Sequence, residues 1–192
     1  MASPTTLFAT GDLVTAAQLN GLPVKIADTT VAGASVASID FTSVPSVYAH
    51  LMVVAYLRSA IVSTLDSVLV RLNNDSGASY DSQHLYGTAA TVAASETFGA
   101  TQVVAGECPG STAGANLFGG LDIWLPHYAN AANNKVLRSF SAHKIGTASG
   151  NLKALNVAGF WRSNTAISRV MLLANGGNLE IGSRATLYGI PG

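Results

Sequence analysis

The alternation of side chains over residues 47–58 constrains the fold more than any other feature of this sequence. One set of alternate positions is wholly aliphatic: Ala49, Leu51, Val53, Ala55 and Leu57. Successive side chains of a β-strand point to opposite faces, so this period of two predicts a strand with one face in a core. The other face carries Tyr48, His50, Met52, Val54, Tyr56 and Arg58. That face is too apolar for plain solvent, and we expect it to meet a loop or a neighbouring molecule.

Short patterns of the same kind recur along the chain, separated by turns rich in Gly, Asn and Ser. They predict strands over residues 31–41, 68–72, 80–86, 117–125, 136–145, 152–161, 168–173 and 183–190. Residues 87–115 are rich in Ala, Thr, Ser and Gly, and we expect only a weak strand over 101–105 there, between flexible connections. Many short strands with such turns indicate an all-β sandwich or barrel. We predict an antiparallel, jelly-roll-like β-sandwich.

The beginning of the chain has a different character, because its large apolar residues have no regular period. These candidate assembly contacts are Leu7, Phe8, Leu13, Leu19 and Leu22. Thr15 and Gln18 have the spacing of a helix-capping box, so residues 15–20 are predicted to form one short helical turn. We therefore divide the chain into an N-terminal attachment arm, residues 1–27, and a β-sandwich domain, residues 28–192. The arm docks either onto another protein or onto its own domain.

The charge content points to association. Charged residues make up 10% of the 192 residues, and ten basic residues balance ten acidic ones. A typical soluble domain has about 25%, and a surface with few charges and no net charge favours assembly. The basic residues are scattered, which argues against a nucleic-acid partner. No apolar run is long enough for a transmembrane helix, and the start of the chain lacks the pattern of a signal peptide.

The usual catalytic and metal-binding arrangements are not recognisable in the sequence. The histidines have no metal-binding spacing: His50, His84, His127 and His143. The single cysteine, Cys108, allows no intrachain disulfide and has no helix N-terminus to activate it. Asp81 and Asp122 are the two carboxylates expected on strands. Residues 73–77 offer oxygen ligands but lack the EF-hand pattern, so we expect a type I turn with Asx hydrogen bonds. We predict no enzyme, no cofactor and no metal site.

Two tryptophans raise the question of sugar binding. Trp124 and Trp161 are each expected on a strand and are candidate glycan contacts, because aromatic rings of β-sandwiches stack on sugars. The commoner role for Trp161, at the end of its strand, is to close the core at the rim of the sandwich. Both interpretations stay open at this point.

Several motifs taken together resemble a family of small virion proteins of tailed bacteriophages, described as structural, fibre or decoration proteins. The motifs are Ile123-x-Leu125-Pro126-x-Tyr128, Phe160-Trp161-Arg162-Ser163, and Gly182-Ser183-x-Ala185-Thr186-Leu187-Tyr188-Gly189-Ile190. The resemblance covers residues 48–190. Residues 10–20 are similar to the N-terminal attachment segment of phage fibre proteins. The chain has no fibre shaft, which is a departure from long tail fibres.

The resemblance implies an oligomeric, usually trimeric, β-sandwich exposed on the particle, with no catalytic residues. We therefore expect a non-enzymatic structural protein on the outside of a bacteriophage virion, as capsid decoration (cement) or short fibre. Its partners would be its own copies in a homotrimer and other virion proteins, such as major capsid or tail proteins, assembled in the host cytoplasm. The alternative is a receptor-binding fibre tip that recognises host surface glycans.

Overall fold

The computed structural model describes residues 21–192 of the chain, which form twelve β-strands and no helix. The strands are β1 Val24–Thr30, β2 Ser38–Phe41, β3 His50–Leu57, β4 Leu65–Leu72, β5 Tyr80–Thr88, β6 Thr91–Ala100, β7 Val103–Pro109, β8 Gly119–Pro126, β9 Lys135–Lys144, β10 Leu152–Trp161, β11 Val170–Ala174 and β12 Arg184–Ile190. No segment of this part of the chain is a helix long and apolar enough to cross a membrane.

The strands form two antiparallel sheets that pack face to face. The larger sheet has eight strands in the order β1-β12-β3-β8-β9-β10-β5-β6, and the smaller has four in the order β2-β11-β4-β7. Neither sheet closes into a barrel. The prediction of an all-β antiparallel sandwich is therefore confirmed.

The core between the sheets follows from the alternation that the sequence shows. In β3, Leu51, Val53, Ala55 and Leu57 are buried, and the residues that alternate with them point away from the core. They face aliphatic side chains of the small sheet, such as Val70 and Leu172, in one continuous cluster. The predicted aliphatic face is thus the face that meets the second sheet.

One part of the contact between the sheets is polar. The free edge of β7 lies against β9 and β10. Side chains of the large sheet form hydrogen bonds with the backbone N–H and C=O groups of β7. The Ser139 hydroxyl donates to the Ala105 carbonyl, and His84 Nε2 donates to the Val104 carbonyl over 3.1 Å. The Glu107 N–H donates to Ser141 Oγ over 3.3 Å. These bonds satisfy edge groups of β7 that would otherwise be buried without partners.

The structure differs from the predicted elements in two regions. In the predicted strand over residues 31–41, only β2 is a strand, with an isolated bridge at Val36 before it. Residues 87–115 contain two full strands, β6 and β7, where we expected one weak strand. The sequence concealed β6 because its small, polar residues bury neither face of the strand.

The N-terminal boundary is also placed differently. β1 begins at Val24 and pairs with β12, so residues 24–27 belong to the sheet rather than to an arm. Leu22, which precedes this strand, is exposed. The remaining candidate contacts, Leu7, Phe8, Leu13 and Leu19, and the predicted helical turn over residues 15–20 lie outside the described residues.

Candidate functional site

A wide trough crosses the outer face of the large sheet, on the side away from the core. It encloses about 760 Å³ over five neighbouring strands, β3, β8, β9, β10 and β5. The strand register places its lining in two rows of cross-strand neighbours. One row is Met52, Trp124, Arg138, Ala158 and Gln83, and the other is Val54, Asp122, Phe140, Asn156 and Leu85.

The walls of the trough are apolar and open to solvent. Val54, Phe140 and Leu85 each expose at least two fifths of their surface, although a β-sandwich normally places charged or polar residues on its outer face. Beyond the trough, Tyr56 and Phe118 extend the apolar surface by stacking at 4.8 Å between ring centroids. This is the mixed face of residues 47–58, which the sequence predicts to meet a loop or a neighbouring molecule.

Four polar side chains project among these apolar groups. Asp122, Arg138, Gln83 and Asn156 make no side-chain hydrogen bond or ion pair with any other residue of the described range, 21–192. The Arg138 guanidinium carbon lies 5.9 Å from the centroid of the Trp124 ring. An apolar surface that carries a few convergent polar groups, unbonded to the rest of residues 21–192, has the character of a recognition surface.

Trp124 is the tryptophan that the trough presents. It is half-buried, and the His50 ring lies beside it at 5.1 Å between centroids. His127 meets His50 edge-on at 4.8 Å, so a row of rings continues from Trp124 beyond the trough. The indole is held in place from the side and still faces the trough.

Trp161, the other candidate glycan contact, has a different position. It is only 3% exposed, because it occupies an inward-facing position of β10. Its ring stacks on Tyr80, and its Nε1 donates to Asp75 Oδ2 over 2.7 Å. Trp161 therefore closes the core at the rim of the sandwich, and its ring is not available to a sugar.

The turn at residues 73–77 also differs in detail from its prediction. Asn73 and Asn74 have φ of 50° and 56°, and the Asp75 N–H donates to the Leu72 carbonyl, which indicates a type I′ turn rather than type I. The turn connects β4 of the small sheet to β5 of the large sheet. The Asp75 carboxylate accepts bonds from the Gly77 N–H, the Ser79 hydroxyl and Trp161. These bonds use both of its oxygens, so the loop is held by its own hydrogen bonds.

The other titratable candidates are not brought together. Asp81 on β5 and Asp122 on β8 are three strand spacings apart in the sheet, or about 14 Å, which is too far for a pair of catalytic carboxylates. Burial raises the pKa of the Cys108 thiol to about 12, so its thiolate is disfavoured. Within residues 21–192, no three His, Cys, Asp or Glu side chains cluster as metal ligands would.

A buried polar cluster lies at the edge of the β7 contact. The Lys153 ammonium bonds Glu107 Oε1 over 2.7 Å, and His143 Nε2 lies 3.6 Å from Glu107 Oε2. Burial lowers the pKa of His143, and Glu107 opposes that effect. The cluster is closed off from the trough, since these side chains point to the inner face of the sheet.

Comparisons with protein-family models, with curated proteins and with solved structures find no match to this chain. The interpretation of the trough therefore depends on its own geometry and chemistry. Sequence reasoning found Trp124 and the β3 side of the trough, but it missed Arg138, Phe140 and Asn156. The available signal was the exposed alternation of β9 and β10, where large or polar residues occupy the outward positions.

Proposed function

We propose that this chain is a non-enzymatic structural subunit of an oligomeric assembly, on the outside of a bacteriophage virion. The observation that carries the proposal is the largely apolar outer face of the large sheet around the trough. A monomeric protein rarely exposes a contiguous apolar surface of this kind, whereas interfaces between subunits are built from it.

The composition supports this role. Asp122 and Arg138 are the charged side chains in the trough lining, and they lie among aromatic and aliphatic neighbours. Trp, Phe, Met and Arg, which all occur in this lining, are enriched at the centre of interfaces. The balance of ten basic and ten acidic residues in the whole chain also removes long-range repulsion between copies.

The virion location and the trimer are supported by the sequence resemblance over residues 48–190. Decoration as cement or as a short fibre fits a single sandwich without a shaft. Major capsid or tail proteins are the proposed partners beside further copies of the chain.

The proposal is tested in purified phage particles. Gold labelling or cryo-microscopy should place the protein on the outside of mature particles, and its absence from them would contradict the proposal. A tagged Phe140→Lys variant should be incorporated at least about tenfold less than the unmodified protein, because a charge at the centre of an interface must be desolvated. Leu152→Lys, an exposed position on β10 outside the trough, is the matched control and should be incorporated normally.

A second candidate function is recognition of a host glycan in the same trough. Trp124 supplies an aromatic ring there, and the amides of Gln83 and Asn156 make no bond within the described residues that would prevent them from meeting sugar hydroxyls. Binding on a glycan array that is lost in Trp124→Ala and kept in Tyr56→Ala would favour this candidate. No binding to any immobilised glycan would remove it.

A further inference from the structure

Strand β6 is the end strand of the large sheet and extends beyond the small sheet. Of its ten residues, Thr91–Ala100, none is buried, and within the described residues its only strand partner is β5. The free edge of β7 is bonded by Ser139, Ser141 and His84, but β6 has no such cover from residues 21–192. An exposed edge strand of this length is a template for pairing with another chain.

The backbone groups at this edge can be assigned from the hairpin register. Ala89 and Ala90 form the two-residue turn between β5 and β6, with Thr88 opposite Thr91. In such a hairpin, the residues next to the turn exchange hydrogen bonds, and bonded and non-bonded pairs then alternate. This alternation holds from the Thr88–Thr91 pair to the Ser82–Thr97 pair, after which the register shifts, with Phe98 and Gly99 both opposite Asp81. Residues 92, 94 and 96 therefore direct their N–H and C=O groups away from β5.

Several natural protections of an edge strand are missing from β6, whose irregular part is confined to Phe98 and Gly99 near its end. β6 contains no proline and no lysine, and Glu96 is its single charged residue. Its two large side chains are strongly exposed, since Val92 is 72% and Phe98 is 75% exposed. Arg162 covers part of the Phe98 ring, with its guanidinium carbon 4.8 Å from the centroid.

We propose that β6 pairs antiparallel with β6 of a second copy of this chain, about a two-fold axis at Ser95. This register places Val92 of each copy opposite Phe98 of the other, and Ala94 opposite Glu96. The outward N–H and C=O groups of Ala94 and Glu96 then form about four hydrogen bonds, and the two sheets become continuous. The contact adds to the proposed structural role and uses no part of the trough.

Neighbouring registers are less favourable. A two-fold axis at Glu96 puts the two carboxylates directly opposite each other, which is destabilising. An axis at Ala94 sets Val92 against Glu96 and leaves Phe98 without an apolar partner. Of these registers, the one centred on Ser95 places the exposed apolar side chains Val92 and Phe98 opposite each other. It also keeps the two Glu96 carboxylates apart.

Cysteine cross-linking of the full chain tests this register. Two Ser95→Cys chains would place their cysteines directly opposite in a non-hydrogen-bonded pair, close enough for a disulfide. Ala93→Cys and Thr97→Cys are matched single variants on the same face of β6, and each would face the other position rather than itself. The native Cys108 is buried and therefore does not form cross-links of its own.

Under mild oxidation, Ser95→Cys should give a covalent dimer on a non-reducing gel, while Ala93→Cys and Thr97→Cys stay monomeric on that gel. The double variant with cysteines at both 93 and 97 should cross-link, which tests the register even if Ser95→Cys fails to fold. Val92→Lys should raise the dissociation constant measured by light scattering at least about tenfold.

Absence of cross-links in both the Ser95→Cys and the double variant would overturn the pairing, as would equal cross-linking of all three single variants. Neither result bears on the proposed function, because presence in particles is measured separately. Conversely, a protein that cross-links as expected but is absent from particles would keep the pairing and contradict the virion role.

Discussion

At the scale of single residues, Asp75 connects its own turn to a tryptophan that is distant in sequence. Its carboxylate accepts bonds from Gly77 and Ser79 in its own turn and from Trp161 at the end of β10. These bonds favour the ionised form, and the pKa of Asp75 lies below its usual value, with the Ser79 bond the largest cause. The turn and the buried tryptophan therefore depend on one charge.

We predict that Asp75→Asn lowers the free energy of unfolding by about 1–3 kcal/mol at pH 7, because the Trp161 N–H loses a charged acceptor. Because the folded-state pKa is depressed, this stabilisation is complete above the unfolded pKa of about 3.9 and is lost as the pH falls through the folded pKa. Urea unfolding of both proteins at pH 7 and below pH 4 measures this difference in the free energy of unfolding. Asp122→Asn is the control, and an equal loss in both variants would contradict the prediction.

Sequence could predict the turn at this site but not its connection to Trp161. The run of Asn, Asp, Ser and Gly over residues 73–77 is a strong local signal. That Trp161 reaches Asp75 depends on the pairing of β10 with β5, in which Trp161 lies opposite Tyr80. A register between strands so far apart in the chain is fixed by packing and leaves no local pattern.

At the scale of elements, the close approach between β7 and β10 depends on a glycine, Gly159, on β10. A Cβ atom at Gly159 would lie 2.8 Å from Leu137 and 2.9 Å from Val103, which is closer than such contacts allow. Leu137 lies beside Gly159 on β9, and Val103 comes from the other sheet. Gly159 therefore sets how near the small sheet comes to this part of the large one.

We predict that Gly159→Ala lowers the free energy of unfolding by about 1–3 kcal/mol, because the two neighbours must move apart in a packed core. Gly87→Ala on the adjacent strand is the control, since a Cβ there would meet its nearest atom at 3.9 Å. Thermal unfolding of the two variants measures the difference. The prediction fails if Gly159→Ala is as stable as Gly87→Ala.

The elements also show where sequence patterns are sufficient. β3 was predicted because burial on one face imposes the alternation of Leu51, Val53 and Leu57. β6 was missed because a strand without a buried face needs no such alternation. The sequence predicts only part of the trough. Trp124 stands out as an aromatic residue on a strand, whereas Arg138 and Asn156 become its neighbours only through the order of strands in the sheet.

At the scale of the whole molecule, electrostatics contributes little to stability. The ion pairs of residues 21–192 are few. Lys25–Asp28 is exposed, and Arg162–Asp81 and Arg169–Asp40 are partly buried. Lys153–Glu107 is largely buried, where the cost of desolvation offsets much of the attraction. Exposed pairs contribute about 0–1 kcal/mol each and are screened by salt. Burial of apolar side chains between the two sheets is the main source of stability.

We therefore predict that the midpoint of thermal unfolding changes by less than about 3 °C between about 0.05 and about 0.5 M NaCl. Differential scanning calorimetry at constant protein concentration measures it. A decrease of more than about 8 °C at the higher salt concentration would show that ion pairs carry much of the stability.

The pairing of β1 with β12 has a consequence for anything joined to the chain. Val24 lies opposite Gly189, so the first and last strands enter and leave the sheet at the same corner. The turn between β5 and β6 and the segment between β9 and β10 lie at the opposite end. A tether at either of these two points therefore orients the sandwich in the same way, and a fluorophore fused behind residue 192 would report on the surroundings of the corner where β1 begins.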